Sequence, residues 1–254
     1  MRRGRGRGVV VALCGASGSG KSTVTRAVAR APGWVRLEEA FDRLHPRPRL
    51  EPATQADLRA VELELLAEEA RRFREARKQT ALGRSVVADT HFLDPVAYTA
   101  GLLVSGEASP ATFLAVVART RALIARGVLG LPDLTCYLVT STDLRRRRAS
   151  QDPARHPEPL RARHERIGRF DAKVVRSCLA EGAPGRVLGV RGVAPARAIA
   201  EHLRQTASRV DPLEDPAAAS RRALTALLHH QVIRSALGGS GNLKRATLSP
   251  RPPR

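Results

Sequence analysis

Apolar residues along this chain fall into two alternating rhythms. The unbroken run at 9–13 has the continuity of a strand covered on both faces, and the short, mainly apolar segments at 34–37, 85–88, 134–139 and 186–190 have the length of strands. Between them the apolar positions recur at helical spacing. From Thr23 they return at Val24, Ala27 and Val28. Over 57–77, Leu58, Val61, Leu65 and Phe73 share one broad face, and over 111–126 Phe113, Val116, Val117 and Ile124 do the same. Residues 160–179 and 195–206 are also predicted helical, whereas 42–55, rich in Pro and Arg, reads as a loop. Strands alternating with helices predict an α/β, three-layer fold around a five-stranded, mainly parallel sheet. Right-handed crossovers then bring the C-terminal strand ends to one rim, where ligands collect.

The pattern divides the chain into a basic tail at 1–8, a main domain at 9–206, a proline-punctuated linker at 207–219 containing VDPLEDPAAAS, and a segment at 220–254. Within that last segment, 220–237 is predicted to be an amphipathic helix, and GGSGNLKRATLSPRPPR reads as a disordered tail.

The first strand opens directly into Gly15-Ala16-Ser17-Gly18-Ser19-Gly20-Lys21-Ser22, followed by Thr23. This satisfies G-x-x-x-x-G-K-[ST] at every fixed position, in the strand–loop–helix context that the motif requires. Such a loop turns backbone N–H groups around a phosphate. Lys21 is expected to reach the β- and γ-phosphates, and the Ser22 hydroxyl to serve Mg²⁺. The loop points to a nucleoside triphosphate, ATP being the expected one, but not to what becomes of the γ-phosphate.

The chain has 254 residues and a formal charge of +20, with 43% hydrophobic and 3% aromatic content. Only four of its 44 basic residues are lysines, and the arginines are concentrated. Four lie in the first seven residues, and ten Arg or Lys lie between Arg145 and Lys173. No finger spacing or aromatic-basic strand pattern supports nucleic acid as the ligand, and a basic cleft for triphosphate explains the second cluster. No apolar run reaches membrane-spanning length. Cys14, Cys136 and Cys178 are scattered and read as buried thiols of a reducing cytoplasm. A small-molecule acceptor is the expected partner, and homodimerisation stays open.

Other polar groups follow predicted strands. Asp89 is the natural second contact for Mg²⁺. Glu38 or Glu39 is the candidate to accept a proton from an acceptor hydroxyl, with a slight preference for Glu38. Adjacent residues at a strand end face opposite ways, so one of the two is expected to point inward. His91 is either a substrate contact or a loop histidine. Phe92 and Tyr98 either stack on a ring or fill the core. Arg145 and Arg148 would share one helix face, with Arg161, Arg163, Arg166 and Arg169 beyond. Together they form an arginine-rich lid at about 145–165 that would neutralise migrating charge and exclude water. Phe41, Arg43, Arg47, Arg49 and Arg72 are candidates for the acceptor side.

GASGSGKST, LEEAFDRL, VVADTHFLDPVAY and TDLRRRRASQD together resemble the thymidylate kinase and deoxynucleoside kinase group of P-loop kinases, over roughly residues 9–206. The resemblance implies a five-stranded parallel sheet, an acceptor cleft beside the helices after strands two and three, and an arginine lid. It implies a base at Glu38 or Glu39 and an acid at Asp89. Two departures stand out. Thr90 occupies the place of a phosphate-contacting arginine, and Ala16 or Ser17 stands where thymidylate kinases carry an Asp. These leave room for a nucleoside or analogue, a nucleoside monophosphate or an antibiotic as acceptor, or for an NTPase acting with a protein or nucleic-acid partner.

Overall fold

The computed structural model describes residues 8–45, 52–151 and 158–238. Its strands are β1 (Val10–Cys14), β2 (Trp34–Leu37), β3 (Ser85–Asp89), β4 (Leu134–Val139) and β5 (Val187–Arg191). They form one parallel sheet in the order β2-β3-β1-β4-β5. The helices are α1 (Lys21–Ala29), α2 (Ala40–Arg43), α3 (Gln55–Ala81), α4 (Asp94–Val104), α5 (Pro110–Ala125), α6 (Thr142–Ser150), α7 (Glu158–Phe170), α8 (Arg176–Gly182), α9 (Ala196–Ala207), α10 (Pro216–His229) and α11 (Gln231–Ala236). A π-helical turn, Asp171–Val175, joins α7 to α8.

The side-chain alternation of the central strands divides the interior in two. Val10, Ala12 and Cys14 enter the larger core with Val86 and Ala88. Val9, Val11 and Leu13 enter the smaller one with Val87. Val24 and Val28 of α1 and Ile199 and Leu203 of α9 close the smaller core. The helices from α3 to α5, the α7–α8 rod and the C-terminal pair α10–α11 close the larger. Both faces of the sheet's centre are thus covered, which is why β1 and the middle of β3 read as unbroken apolar runs.

Most expected elements form within a few residues of their predicted bounds. α3 starts at Gln55 because Thr54 and Asp57 build a reciprocal capping box. α4 escapes prediction for a physical reason. Eight of its residues, from Pro95 to Leu103, are buried, so DPVAYTAGLLV has no polar face and no helical period.

The C-terminal helices pack onto the main body. Asp133 pins the approach, its two carboxylate oxygens accepting from the N–H groups of Val10 and Leu213 at 2.7 Å each. Asp215 then caps α10, which begins at Pro216 within the expected linker. Gly182 of α8 lies so close to α10 that a Cβ there would sit 2.6 Å from the Ala219 carbonyl oxygen. The basic tail 1–7, Arg47 and Arg49, the lid tip at 152–157 and the tail from 239 onward lie outside the described residues.

Candidate active site

The Gly15–Gly20 loop leaves β1 and delivers the chain to the N-terminus of α1. Gly20 is the N-cap at φ 98°, a left-handed conformation that a side chain rarely adopts. Gly18, at φ 75°, passes so near α6 that a Cβ would lie 2.9 Å from the Arg145 carbonyl oxygen. No side chain caps α1 and no acidic residue occupies its first turn, so its amides and positive dipole end remain available to an anion. Lys21 Nζ donates to the Gly15 carbonyl at 2.8 Å. Arg148 Nη1 donates to the Ser19 carbonyl at 2.8 Å. The loop lines one end of a cleft of about 790 Å³ with Gly15, Ala16, Ser17, Gly18, Gly20, Lys21, Ser22 and Thr23. Ser19 turns inward instead and is buried.

Strand alternation separates the two rim glutamates. Leu37 faces the larger core, and Arg36 faces α1, where its Nε donates to Thr25 Oγ1 at 3.2 Å. Glu38 follows Arg36 to that side, pairs with it at 2.8 Å and is 55% exposed. Glu39 lines the cleft. The preference for Glu38 is therefore corrected: it is the side chain outside the cleft.

Asp89 ends β3 on the same side as Arg36, whose Nη2 lies 3.7 Å away. Its carboxylate is buried, and neither oxygen has a hydrogen-bond partner. Buried polar atoms are normally paired. An orphaned carboxylate on β3, against which α1 packs, suits a hard cation or its water shell beside Ser22. The next residue, Thr90, is the one non-glycine at positive φ (69°) among the described residues. Its backbone N–H is held by the Leu13 carbonyl at 3.1 Å, and it lines the cleft, whereas Asp89 lies outside the lining.

Beyond the loop, the cleft is walled by α3, α4 and α7. Phe41 and Tyr98 line it with aliphatic residues including Leu58, Leu65 and Ile167. Carboxylates missing from the sequence reading stand among them: Glu62, Glu69, Asp94 and Asp171. Burial pushes Glu62 up to about 8, and the nearby Asp94 charge adds to the shift. Burial also raises Glu69 to about 7 against the pull of Arg72. Asp94 is raised as well, by burial first and by Asp171 in the same sense, while His91 opposes. Asp171 sits at the π turn, a kind of distortion common at functional sites, and accepts from the Tyr137 hydroxyl at 3.2 Å. Little in the sequence distinguishes these acids from solvated helix residues; only Asp94, opening an Asp-Pro helix start, carried a signal.

Several other expected contacts are placed differently. Phe92 is wholly buried, edge-to-face with Phe73 at 5.3 Å, and belongs to the core. Arg72 is also wholly buried. Its guanidinium stacks on Phe92, pairs with Glu69 at 2.5 Å and donates to the Asp89 carbonyl at 2.6 Å. It clamps α3 to the end of β3, where no acceptor reaches it. Arg43 pairs with Glu68 at 2.9 Å and Glu75 at 3.0 Å, tying α2 to α3 outside the cleft lining. His91 is buried behind the cleft wall, with Nδ1 accepting from the Leu93 N–H at 3.2 Å and Nε2 4.0 Å from Asp171. Burial is the largest influence on this imidazole and pulls its pKa down, but Asp171, Asp94 and Glu69 outweigh it and raise the pKa overall.

The lid arginines divide similarly. Arg148 lines the cleft, whereas Arg145 is outside the lining and donates to Thr142 Oγ1 at 3.2 Å. Arg146 ties α6 to α7 through Glu165 at 2.7 Å. Arg163 and Arg166 converge on Glu107 at 2.5 and 2.9 Å.

A family model described as "AAA domain" matches residues 10–168, well over half of the chain, and the chain belongs to that family. Its fold is that of the thymidylate kinase and deoxynucleoside kinase-like group of P-loop proteins. Deoxyadenosine kinase from M. mycoides with bound dATP is similar at a TM-score of 0.63 and 12% identity, covering 78% of this chain and 99% of that one. The same enzyme with dCMP and a flexible dCDP gives 0.62 and 13%, over 79% and 99%. Thymidylate kinase from Candida albicans gives 0.56 and 13%, over 80% and 92%. No curated protein matches the chain in sequence.

Proposed function

We propose that this protein is an ATP-dependent kinase that moves the γ-phosphate to a hydroxyl of a small acceptor. One observation carries the reading: the phosphate loop and a deep pocket walled by α3, α4 and α7 are two ends of one cleft, with Glu39 in its lining. An ATPase that works on a macromolecule has no need of a pocket lined by Phe41, Tyr98 and aliphatic side chains next to its loop. The deoxynucleoside kinase fold makes nucleosides and their analogues the first acceptors to try, ahead of monophosphates and antibiotics.

Placement in the cleft supports the following roles. The Gly15–Gly20 amides and the α1 dipole hold the triphosphate. Lys21 exchanges its contact with the Gly15 carbonyl for phosphate oxygens. Arg148, already against the loop, supplies positive charge where charge develops. Glu39 positions the acceptor hydroxyl and takes its proton. Ser22 and Asp89 would hold Mg²⁺, which supplies charge neutralisation on the phosphate oxygens when bound.

Product stoichiometry tests the reading. ATP, Mg²⁺ and a panel of nucleosides, nucleoside monophosphates and hydroxylated antibiotics are incubated with the protein, and products are identified by mass. Phosphorylated acceptor matching ADP one to one is expected. ADP and free phosphate alone, unaffected by any acceptor, would overturn it in favour of an NTPase.

A further inference from the structure

Helix α7 walls the acceptor end of the cleft with Arg163, His164, Ile167 and Gly168, and Asp171 of the π turn continues that wall. The same helix touches the phosphate loop. A Cβ at Gly168 would lie 2.8 Å from the Ala16 Cβ and 3.4 Å from the Ala16 Cα. Unstrained carbons stand about 3.5–4.0 Å apart, so a methyl group there would force one side to move. Ala16 has no flexible side chain to swing away. Nor does the backbone of Gly168 call for glycine. It is not among the residues at positive φ, and it lies in the helical rod that runs from α7 through the π turn to α8. Within a helix glycine is a weak former and alanine the best. What this position requires is the absence of a methyl group, which lets α7 rest on the loop.

Neither side of the contact has slack. Ile167 and Phe170 of α7 pack on Gly101 of α4, where a Cβ would lie 3.4 and 3.3 Å from them. Arg163 and Arg166 pair with Glu107 in the turn between α4 and α5, and Asp171 accepts from the Tyr137 hydroxyl of β4 at 3.2 Å. On the loop side, the Ala16 carbonyl accepts from the Ser19 N–H at 3.1 Å, and the Ser19 carbonyl accepts from Arg148 at 2.8 Å. Displacing Ala16 therefore displaces the turn whose amides would face phosphate.

Resting on the kinase reading above, we propose that Gly168 is a positioning residue that joins the two ends of the cleft. It seats the acceptor wall on the phosphate loop, so one contact, Gly168 against Ala16, sets both nucleotide affinity and acceptor binding. It offers no side chain to either substrate and acts through Ala16 and through the placement of α7.

Moving one methyl group across the contact tests this. Gly168→Ala adds the methyl that clashes. Gly168→Ala combined with Ala16→Gly removes the opposing methyl and leaves only the 3.4 Å approach to the Cα of residue 16. Affinity for ADP with Mg²⁺ is measured by calorimetry without acceptor, well below each variant's thermal midpoint. Acceptor KM and kcat are measured on the acceptor that the product assay identifies. Gly168→Ala is expected to weaken ADP binding and to raise acceptor KM, each at least ~10-fold. The double variant is expected to return both to within ~3-fold of the unaltered protein. A purely structural role would lower the midpoint or the active fraction, and with it kcat, while leaving both affinities unchanged. Unchanged affinities in Gly168→Ala, a change in one without the other, or losses that the double variant does not recover overturn the proposal. If Gly168→Ala does not fold, the double variant decides. Recovered affinities support the contact, and a second failure to fold overturns it, because the clash has then been removed. Loss and recovery of ADP binding with no acceptor phosphorylated leaves the contact standing and overturns the kinase reading instead.

Discussion

In the proposed reaction Lys21 and Glu39 act on single atoms, and their effects should differ in kind. Among the described residues, Lys21 Nζ donates to the Gly15 carbonyl. Its removal is expected to leave the fold intact and to cost at least ~100-fold in kcat/KM, about 2.7 kcal/mol of transition-state stabilisation. Glu39→Gln is expected to lower single-turnover phosphoryl transfer by ~100-fold or more, while Glu38→Gln, half exposed beside Arg36, changes it less than ~3-fold. Equal losses from both would return the choice between them to open ground. Thr90 tests strain. A β-branched residue at φ 69° costs about 1–3 kcal/mol. Thr90→Gly is therefore expected to be neutral or stabilising by up to ~1 kcal/mol in denaturant unfolding, where the same change in an ordinary strand destabilises. A clear loss of stability would show that the Thr90 side chain contributes more than its backbone costs.

Elements set where these atoms stand. β1 and β3 end side by side, Leu13 opposite Asp89, so the phosphate loop and the Asp89–Thr90 corner are neighbours by register. Arg72 reaches from α3 to the Asp89 carbonyl and fixes that corner against the acceptor wall. The α8–α10 contact is a second such joint. A Cβ at Gly182 would lie 2.6 Å from the Ala219 carbonyl and 2.7 Å from the Ala223 Cβ, both on α10. Gly182→Val is expected to displace α10 and destabilise the protein by about 1–3 kcal/mol. Lower thermal midpoints and faster proteolysis within 208–238 would show it. An unchanged midpoint would mean that the C-terminal helices do not share the stability of the main body.

The cost of the acidic pocket falls on the whole molecule. Glu62 and Glu69 retain their protons in the folded state to about pH 8 and 7, against an ordinary value of 4.5. Folded protein therefore binds more protons than unfolded chain across that window, and stability falls as pH rises through it. Glu107, which burial pushes up but hydrogen bonds from Arg166, Ser105 and Arg163 bring below its usual range, acts in the opposite sense, but only below about pH 4.5. Glu62→Gln is expected to stabilise the free protein at about pH 8 by a few kcal/mol while changing little at about pH 5. Thermal midpoints of both proteins across this range check the sign. A parallel pH dependence would remove Glu62 as the titrating group.

At that same scale, sequence and tertiary structure divide the outcome unevenly. Short, mainly apolar runs and helical spacing were enough for the parallel three-layer fold, since a central strand between two helical layers must be apolar on both faces. The phosphate loop was equally legible, because one contiguous segment makes the strand, the turn and the helix start. Its backbone passes through conformations that Gly15, Gly18 and Gly20 permit. The acceptor end was not legible. Glu62, Glu69, Asp94 and Asp171 are far apart in the chain, and only the packing of α3, α4 and the π turn around one cavity brings their charges together. The same packing buried Arg72, a candidate for the acceptor side, settled Phe92 in the core, one of the two places left open for it, and left α4 without the polar face by which a helix is recognised. Strand alternation foretold that Glu38 and Glu39 would part. Which of them faced the cleft was decided by how β2 lies against β3 and α1.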